Sequence, residues 1–341
     1  MTNDRAYREA GVDIRLEADG VAALVRELTY RRQGAHGPVG GPGHFAGLIE
    51  FGPYVLALAT DGVGTKMLIA DAVGDWSTVG IDCIAMNAND LYVMNIEPIA
   101  FVDYIATDHV DPAKMAALGR GLNEGARLAN LSIVGGETAT LAGLVNGLDL
   151  AGAVLGVQRR EHVVSGEACR PGDLIVGLPS SGVHSNGLTL ARRIAERNGG
   201  YEQPFGDRTL GQELLEPTRI YSEVLRIAAA HEVHGMCHVT GGGLLNFRRL
   251  SHYGFTFDDP LAPHPIFAWL QEKGQVSVPE MYRTFNMGMG FALVLPEDEA
   301  DGVSRSVPGA KVVGRCTAEP EVSPAASRPR MMPSLSVVHG V

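Results

Sequence analysis

The sequence predicts a two-domain α/β protein, and three observations lead to this fold class. The 341 residues are enough for two domains of ordinary size. Short apolar segments typical of strands alternate with helix-period segments along most of the chain. A polar stretch near 158–172 interrupts the alternation and predicts a domain boundary. We therefore expect an N-terminal segment with a glycine-rich flap (1–44), a first α/β domain (45–160), a second α/β domain (170–318) and a mobile tail (319–341).

The composition argues against several classes of protein. The formal net charge is −11 and no basic stripe is present, which argues against a nucleic-acid partner. The sequence shows no signal-peptide-like apolar segment and no long apolar run, so we expect neither export nor membrane insertion. The four cysteines are far apart and lack Cys-x-x-Cys spacing. A disulfide framework or a structural zinc site is therefore not expected, and a reducing cytoplasm is.

The secondary structure can be assigned from periodicity and turn residues. The first domain is predicted to have strands at 48–50, 54–60, 100–106, 131–134 and 148–157 and helices at 65–73, 79–93 and 112–129. The second is predicted to have strands at 173–178, 235–239, 288–295 and 311–315 and helices at 188–198, 244–250, 266–273 and 297–306. A further helix is expected to open at Glu216, with Pro217 in its first turn. Before the domains, Asp19 is expected to cap a helix over 19–30, and the glycine-rich residues 34–47 predict a linker or a flap.

The turn between the strand at 54–60 and the helix at 65–73 is the first candidate site. It contains Asp61, Gly62, Gly64, Thr65 and Lys66. A tight turn beside a helix N-terminus exposes backbone N–H groups and can bind an anion. A carboxylate in the same turn is best explained by a metal ion lying between the acid and a phosphate.

The helix predicted at 79–93 carries polar residues inside a mostly apolar segment. Asp82 and Asn89 are seven residues apart, and Asn87 and Asp90 are three apart, so each pair shares a side of the helix. A solvated face would more often contain Lys and Glu. We favour a ligand-facing wall over a solvated face.

Three more glycine-rich turns follow, at 134–138, 180–187 and 240–243. Glu137 in the first could bind a metal or substrate, or could simply cap a helix. His184 in the second could contact substrate or shuttle a proton, or could be structural. His238, before the third, has the same options, with the structural one favoured. Four such turns and several acids suggest a nucleoside triphosphate with Mg²⁺ and a second, phosphorylated substrate.

Other sequence signatures are missing or point to packing. The order Gly64-Thr65-Lys66 is not the ending of a P-loop, and no dinucleotide fingerprint follows a strand. There is no Gly-x-Ser-x-Gly elbow of a serine hydrolase. Cys83 lies at core spacing in its predicted helix, which argues against a nucleophile.

Eight segments, in order, resemble the phosphoribosylformylglycinamidine cyclo-ligase family, also called aminoimidazole ribonucleotide synthetases. They are YREAGVD at 7–13, TDGVGTK at 60–66, GID at 80–82 with NDL at 89–91, VGGET at 134–138, SGVHSNG at 181–187, PTRIY at 217–221, HVTGGG at 238–243 and MYRTFNMGMG at 281–290. The resemblance covers residue 7 to about residue 315. The chain departs from the family pattern at Pro42 and His44 in the flap and at Asn95-Ile96, ahead of Glu97-Pro98.

The resemblance implies a fold and a reaction. The fold would be α/β of the α+β type, with the mixed sheets of two N-terminal domains pairing into a dimeric barrel with helices outside. The reaction would use ATP, with Mg²⁺, to close formylglycinamidine ribonucleotide to aminoimidazole ribonucleotide in cytoplasmic purine biosynthesis, releasing ADP and phosphate. The formamide oxygen would be phosphorylated before the ring closes.

Together with the resemblance, the turns give a full set of candidate site residues. The catalytic candidates are His184 and Lys66. The candidates for ATP or phosphate binding are Gly43, Gly62, Gly64, Thr65, Lys66, Asn89, Gly241 and Gly242. The candidates for substrate binding are Gly136, Glu137, Thr138, Ser181, His184, Ser185 and Asn186. The metal candidates are Asp61 and Asp90.

Two alternatives remain open at this point. One is a related ATP-using enzyme of the selenophosphate synthetase or thiamine-monophosphate kinase type. No cysteine precedes Cys83, which argues against the first of these. The other alternative is a non-catalytic nucleotide-binding subunit, against which stands the presence of every expected acid and glycine.

Overall fold

The computed structural model describes residues 14–40, 44–320 and 322–324. Its secondary structure begins with a helix and then the elements of the first domain. These are α1 (Ile14–Glu27), β1 (Pro38–Val39), β2 (Gly47–Phe51), β3 (Tyr54–Gly62), α2 (Lys66–Val73), α3 (Val79–Tyr92), β4 (Glu97–Thr107), α4 (Pro112–Ala129), β5 (Ser132–Thr140) and β6 (Leu148–Arg159). A 3₁₀ turn, Arg160–His162, follows.

The elements of the second domain follow. They are β7 (Leu174–Pro179), α5 (Leu188–Arg197), β8 (Pro204–Phe205), β9 (Arg208–Thr209), α6 (Leu210–Leu214), α7 (Glu223–Ala230), β10 (Gly235–His238), a 3₁₀ helix (Gly243–Arg249), β11 (Gly254–Phe257), α8 (Pro265–Gly274), α9 (Val278–Thr284), β12 (Met289–Leu295), α10 (Glu297–Ser306), β13 (Lys311–Thr317) and β14 (Val322–Pro324).

The first sheet is mixed and has the strand order β1-β2-β3-β6-β4-β5. Its neighbours are antiparallel except β4 and β5, which are parallel. Helices α3 and α4 pack closely on each other beside the sheet: a Cβ on Gly80 would collide with the backbone of α4 at Gly121 and Leu122. In β6, side chains such as Leu150 and Val154 are buried in the core that α3 helps to form.

The other side of the first sheet is open and apolar. Large hydrophobic side chains stand partly exposed along three of its strands, with Leu58 46% exposed, Tyr104 45% exposed and Val134 66% exposed. Since β5 is an edge strand of nine residues, its outer backbone groups also lack a neighbouring strand within the described chain. This domain therefore presents both an apolar face and an unpaired edge.

The second sheet has the order β10-β12-β7-β13-β11-β14 and is covered much more completely. Every residue of β12 and of β10 is buried. Buried residues of β7 include Val176 and Leu178. Only β11 and β14 pair in parallel, while the other pairs are antiparallel. A separate two-stranded ribbon joins β8 and β9.

Most predicted elements are confirmed, and two have the predicted bounds. Helix α4 spans Pro112–Ala129 because Asp111 caps its first N–H groups and Asn130 ends it in a left-handed conformation. Helix α10 spans Glu297–Ser306. The strand–turn–helix around Asp61 is also present, since β3 ends at Gly62 and α2 starts at Lys66.

Four predicted features are wrong. Residues 134–138 form no turn, because they lie inside β5 and pair with β4. No helix opens at Glu216, since residues 216–221 are irregular and α7 starts at Glu223. The segment after Gly243 is a 3₁₀ helix. Asp19 lies within α1 and does not cap it.

The flap and the tail each contain a short strand that was not expected. Pro38 and Val39 pair with β2, so the glycine-rich segment is not wholly irregular. Val322–Pro324 pairs in parallel with β11, so the predicted mobile tail begins with ordered backbone. The rest of the tail, 325–341, lies outside the described residues, as does Gly43 of the flap. The domain bounds themselves stay a prediction.

Two further findings concern the whole described chain. Its helices include none with the length and apolar character needed to cross a bilayer. The four cysteines are free thiols and all are buried. Burial raises the pKa of each thiol, to about 12 for Cys169 and about 11 for Cys316.

Candidate functional site

The two domains meet along the polar side of α3. The irregular segment 216–221, which we call the strap, lies against this helix and is bonded to it at two levels. Thr218 donates its backbone N–H and its hydroxyl to Asp82 Oδ1, at 2.7 and 2.6 Å. Two turns further along α3, Asn89 Oδ1 accepts from Tyr221 N at 3.0 Å, and Asn89 Nδ2 donates to the Arg219 carbonyl at 2.9 Å. The expected ligand-facing wall is therefore a domain interface at both residues.

Lys66 and Asp82 form a buried ion pair at the same interface. Lys66 Nζ lies 2.9 Å from Asp82 Oδ1 and 2.8 Å from Oδ2, and both side chains are fully buried. The ammonium also donates to the carbonyl of Glu216 at 2.6 Å. Burial lowers the pKa of Lys66, and the Asp82 carboxylate opposes that shift. The ammonium thus donates two hydrogen bonds inside a fully buried pocket, and it would have to leave these partners to contact a phosphate as predicted.

Asn87 also turns inward. Its Nδ2 donates to the carbonyls of Asp61 and Cys83, at 3.1 and 2.9 Å. The bond to the Asp61 carbonyl fixes the backbone of the first glycine turn to α3. Of the four polar residues on this helix, only Asp90 keeps some exposure, at 18% of its side chain.

Asp61 and Asp90 are close enough for their charges to interact, and they lie at the junction of the two domains beside α3, which we call the crevice. Burial raises the pKa of Asp61, and the negative charge of Asp90 raises it further, while the Gly62 N–H donates to Asp61 Oδ1 at 2.7 Å and opposes the shift. Asp90 Oδ1 lies 3.0 Å from His238 Nδ1. His238 is fully buried, and its Nε2 lies 3.4 Å from Asn89 Nδ2. The second domain therefore supplies a partner for one carboxylate of the first.

The carboxylate pair has the chemistry of a magnesium site. Mg²⁺ prefers oxygen ligands and typically takes one or two carboxylates, completing its shell with phosphate oxygens and water. A cation between Asp61 and Asp90 would relieve the repulsion that raises the pKa of Asp61. Within residues 14–40, 44–320 and 322–324, no group of three or more His, Cys, Asp or Glu side chains is arranged to hold a metal ion. Asp61 and Asp90 are therefore two carboxylates that could contribute to a metal site.

Two helix starts from different domains lie side by side. The hydroxyl of Thr65, before α2, is 3.1 Å from that of Thr189 in the first turn of α5. Gly64 is exposed and left-handed, with φ +67°, and Gly187 before α5 is left-handed too, with φ +72°. The unpaired N–H groups of both helices thus begin at one place, where an anion would be favoured.

Asn186 links α3 to the glycine turn at 240–243. Its Nδ2 lies 3.9 Å from Met86 Sδ on α3, and its Oδ1 would be 3.2 Å from a Cβ placed on Gly241. Gly241 is exposed and Gly242 is left-handed, with φ +95°. The structure therefore brings together, at the domain junction, Asn186 and the turn at 240–243, which contains the candidate site residues Gly241 and Gly242.

His184 is buried in the second domain. The ring is 1% exposed, and its Nε2 accepts from the backbone N–H of Ser181 at 3.2 Å. Its Nδ1 has no hydrogen-bond partner, and the residue is left-handed, with φ +65°. Burial lowers the pKa of His184 well below its usual value, and the nearby charges of His238 and Lys66 act in the same direction. In this conformation His184 is a neutral core histidine without access to a ligand.

The residues at 136–138 lie apart from the others within one chain. Gly136 pairs with Asp103, Asp103 pairs with Gly152, and Gly152 pairs with Asp61. Three strand spacings of about 4.8 Å therefore separate Gly136 from Asp61, or roughly 14 Å. Gly136, Glu137 and Thr138 are exposed on the edge strand β5.

Sequence reasoning missed the long-range contacts that His44 and Thr218 make. His44 Nε2 lies 3.0 Å from the carbonyl of Ser165, which leaves its buried Nδ1 without a partner. Its only signal in the sequence was that it interrupts the flap pattern. Thr218 was noted only as part of the helix expected at Glu216 and of a segment of resemblance, because its contact with Asp82 spans 136 residues of sequence.

Comparisons with known proteins agree on the family. A family model described as AIR synthase related protein, N-terminal domain, matches residues 43–158, and the corresponding C-terminal domain model matches residues 170–326. The phosphoribosylformylglycinamidine cyclo-ligase of Methanosarcina acetivorans is 51% identical over 91% of this chain and 94% of its own length. The enzyme of the same name from Thermococcus gammatolerans is 44% identical over 93% of this chain and 96% of its own.

Solved structures share the fold at much lower sequence identity. A HypE–HypF complex gives a TM-score of 0.63 at 17% identity, covering 87% of this chain and 93% of the other. AaThiL complexed with AMPPCP and TMP gives 0.60 at 17% identity, covering 82% and 87%. These likenesses show the fold alone. The identity to the curated enzymes decides between relatives of this fold: the chain belongs to the phosphoribosylformylglycinamidine cyclo-ligase family.

Proposed function

We propose that this chain uses ATP to close formylglycinamidine ribonucleotide to aminoimidazole ribonucleotide, releasing ADP and phosphate. The observation that carries the proposal is the 51% identity to a curated cyclo-ligase over 91% of the chain. The crevice between the domains supports it, because it brings a carboxylate pair and two adjoining helix starts to one place.

The reaction has two chemical steps. The formamide oxygen attacks the γ-phosphorus of ATP, and the bond from that phosphorus to the ADP oxygen breaks. The amidine nitrogen then attacks the activated carbon, loses a proton, and the carbon–oxygen bond breaks to release phosphate. Neither step needs a covalent bond to the protein, so positioning and charge stabilisation would supply the catalysis.

We assign the triphosphate to the crevice between α2, α3 and the turn at 240–243. The backbone N–H groups after Gly64 and the exposed Gly241 would face phosphate oxygens. Asp61 and Asp90 would hold Mg²⁺, which supplies positive charge against the triphosphate when bound. The predicted phosphate contacts of Lys66 and Asn89 would act indirectly, because both side chains already hold the domain interface.

We assign the ribonucleotide to the loop 180–187. Ser181 Oγ donates to the carbonyl of Pro217 at 2.6 Å, and Ser185 Oγ lies 3.3 Å from Thr218 Oγ1, so the strap supports this loop from behind. Asn186 reaches the turn at 240–243. A role for His184 in proton transfer would require the loop to bring its buried ring to the crevice.

We further propose that the chain is a homodimer in the cytoplasm, paired through the first sheet. The open apolar face and the unpaired edge of β5 support this pairing. In a dimer of this kind, Gly136, Glu137 and Thr138 would lie at the junction between subunits. Their predicted role in substrate binding would then belong to a site that both subunits share.

Replacing Asp61 tests the site and the reaction together. Asp61→Asn should lower ATP-dependent phosphate release with formylglycinamidine ribonucleotide by about 100-fold or more, because one of the two metal carboxylates is lost. Asp71→Asn is the matched control, since Asp71 is an exposed acid on α2 that pairs with Lys114 on α4. Phosphate release is measured with Mg²⁺ and purified protein.

Three outcomes separate the possibilities. Wild-type turnover in Asp61→Asn would remove Asp61 from the metal site. Release with thiamine monophosphate or selenide, but none with the ribonucleotide, would mean a different enzyme of this fold. No release with any of them would favour a nucleotide-binding subunit.

A further inference from the structure

We propose that Thr218 is a positioning residue that couples ATP binding to ribonucleotide binding. This inference rests on the proposed function, because it concerns how the two assigned half-sites communicate. Thr218 lies at the centre of the strap, 2% exposed, and makes hydrogen bonds towards both half-sites.

Towards the ATP half, Thr218 belongs to the buried ion pair. Its backbone N–H and its hydroxyl both donate to Asp82 Oδ1, at 2.7 and 2.6 Å. Asp82 in turn holds Lys66, which is the first residue of α2 and follows directly on Gly64 and Thr65. A shift of the turn that contains Gly64 and Thr65 would therefore move Thr218 through two charge-assisted contacts, Lys66 with Asp82 and Asp82 with Thr218.

Towards the ribonucleotide half, Thr218 fixes the hydroxyl of Ser185. The Thr218 hydroxyl gives its only hydrogen to Asp82, so towards Ser185, at 3.3 Å, it can only accept. Ser185 must then be the donor, and Thr218 determines the direction in which the Ser185 hydroxyl hydrogen points. The direction of a predicted substrate contact is thus determined by the state of a buried carboxylate in the other domain.

The strap is held by hydrogen bonds on both sides of Thr218. A displacement of Thr218 is therefore expected to move the neighbouring contacts as well. Ser181 donates to the carbonyl of Pro217, and Arg219 donates to the carbonyl of Pro179 at 3.0 Å. On the α3 side, Asn89 grips Arg219 and Tyr221. The path from Lys66 through Asp82 and Thr218 to Ser185 is contiguous and buried for three of its four members.

The coupling is measured with a non-hydrolysable ATP analogue and formylglycinamidine ribonucleotide in the presence of Mg²⁺. Each ligand is titrated calorimetrically with and without the other, which gives the factor by which one changes the affinity for the other. We expect a factor of about 5 to 150 in the wild type, the usual range for coupled sites. In Thr218→Val, which keeps the shape and the backbone N–H but loses the hydroxyl, the factor should fall below about 2.

Two variants separate positioning from packing. Thr218→Ser keeps the hydroxyl and loses the methyl group, and should keep most of the wild-type coupling. Thr78→Val is the matched control, because the Thr78 hydroxyl also crosses the domain interface, to the carbonyl of Leu215 at 3.0 Å, but lies off the path. It should keep the wild-type coupling factor.

Ser185→Ala gives a second test should Thr218→Val not fold. It removes the last contact of the path from a half-buried residue and should also abolish the coupling, even though the ribonucleotide affinity itself falls. The proposal is overturned if the wild type shows no coupling, or if Thr218→Val or Ser185→Ala retains the wild-type factor. Failure of the proposed function looks different: the ribonucleotide then does not bind at all, with or without the analogue.

Discussion

The two six-stranded sheets of this protein meet their surroundings in different ways. The second sheet is buried across its central strands, and every residue of β12 is buried. The first sheet is covered on the side that faces α3 and α4, and exposes large apolar side chains such as Leu58, Tyr104 and Val134 on the other. One sheet is complete within the chain, whereas the other has a face that calls for a further layer.

The same asymmetry explains where polar chemistry is found. In the first domain, three of the buried polar side chains lie on α3, which contacts the second domain through Asp82 and Asn89. The domain thus uses one side of its structure for the crevice and leaves the other for a partner. The second domain contributes the loops and the strap, which are supported by a sheet whose central strands are buried.

Placing one charge in each sheet tests this contrast with the largest expected effect. Leu293→Glu in β12 should prevent folding or cost about 5 kcal/mol or more, because an unpaired carboxylate would be buried. Val102→Glu, on the exposed face of β4, should change the stability of a monomer by less than about 1 kcal/mol. It should instead convert a dimer to a monomer.

Urea unfolding and light scattering after size exclusion give both answers. A dimer that survives Val102→Glu would mean that this face is not the dimer interface. Unfolding by Val102→Glu at the level of Leu293→Glu would show that the two sheets do not differ in the way described.

The buried ion pair should give the next largest effect. Lys66→Met leaves Asp82 charged and buried, and such a loss typically costs about 3–5 kcal/mol. In Lys66→Met combined with Asp82→Asn no buried charge remains, so this variant should recover a substantial part of that loss. Chemical denaturation of the single and double variants measures the difference. A double variant that is less stable than Lys66→Met would show that the unpaired Asp82 carboxylate is not the cause of the destabilisation in Lys66→Met.

The pH dependence of stability should show the smallest effect. The pKa of His184 in the folded state lies well below its usual value of 6.5, so the unfolded chain takes up the proton first. The contribution of neutral His184 is therefore complete above about pH 6.5 and is lost as the pH falls, by at most about 1.4 kcal/mol per pH unit.

His184→Asn removes this titration while keeping a residue type that tolerates a positive φ. Its stability should fall less between pH 7.5 and pH 5.5 than that of the wild type, as measured by thermal and urea unfolding. Equal slopes for the two proteins would mean that the folded state accommodates the protonated ring of His184.

Local signals predicted much of the fold correctly. Asp111, Pro112 and Asn130 define both ends of α4 by capping and backbone geometry alone, which is why its bounds were predictable. Gly135 and Gly136 suggested a turn by the same kind of local argument. There the ladder between β4 and β5 overrode the local preference, and such a ladder depends on residues more than thirty positions away.

The site was predictable as a set of turns but not as an arrangement. The charges of Asp61 and Asp90 interact in the structure, and both residues were metal candidates once the turns and the resemblance were taken together. The roles of Lys66, Asp82 and Asn89 could not be predicted in this way. Their partners are the backbone of the strap, and nothing in the identity of those residues reveals which carbonyls and N–H groups will be offered.

The buried cysteines can serve as natural probes of unfolding in this protein. A protonated, inaccessible thiol does not react with alkylating reagents, and burial keeps all four in that state. Cys83 lies in α3 of the first domain, while Cys237 lies in β10 of the second. The order in which these two positions become labelled would therefore tell which half of the molecule opens first, without the introduction of any probe.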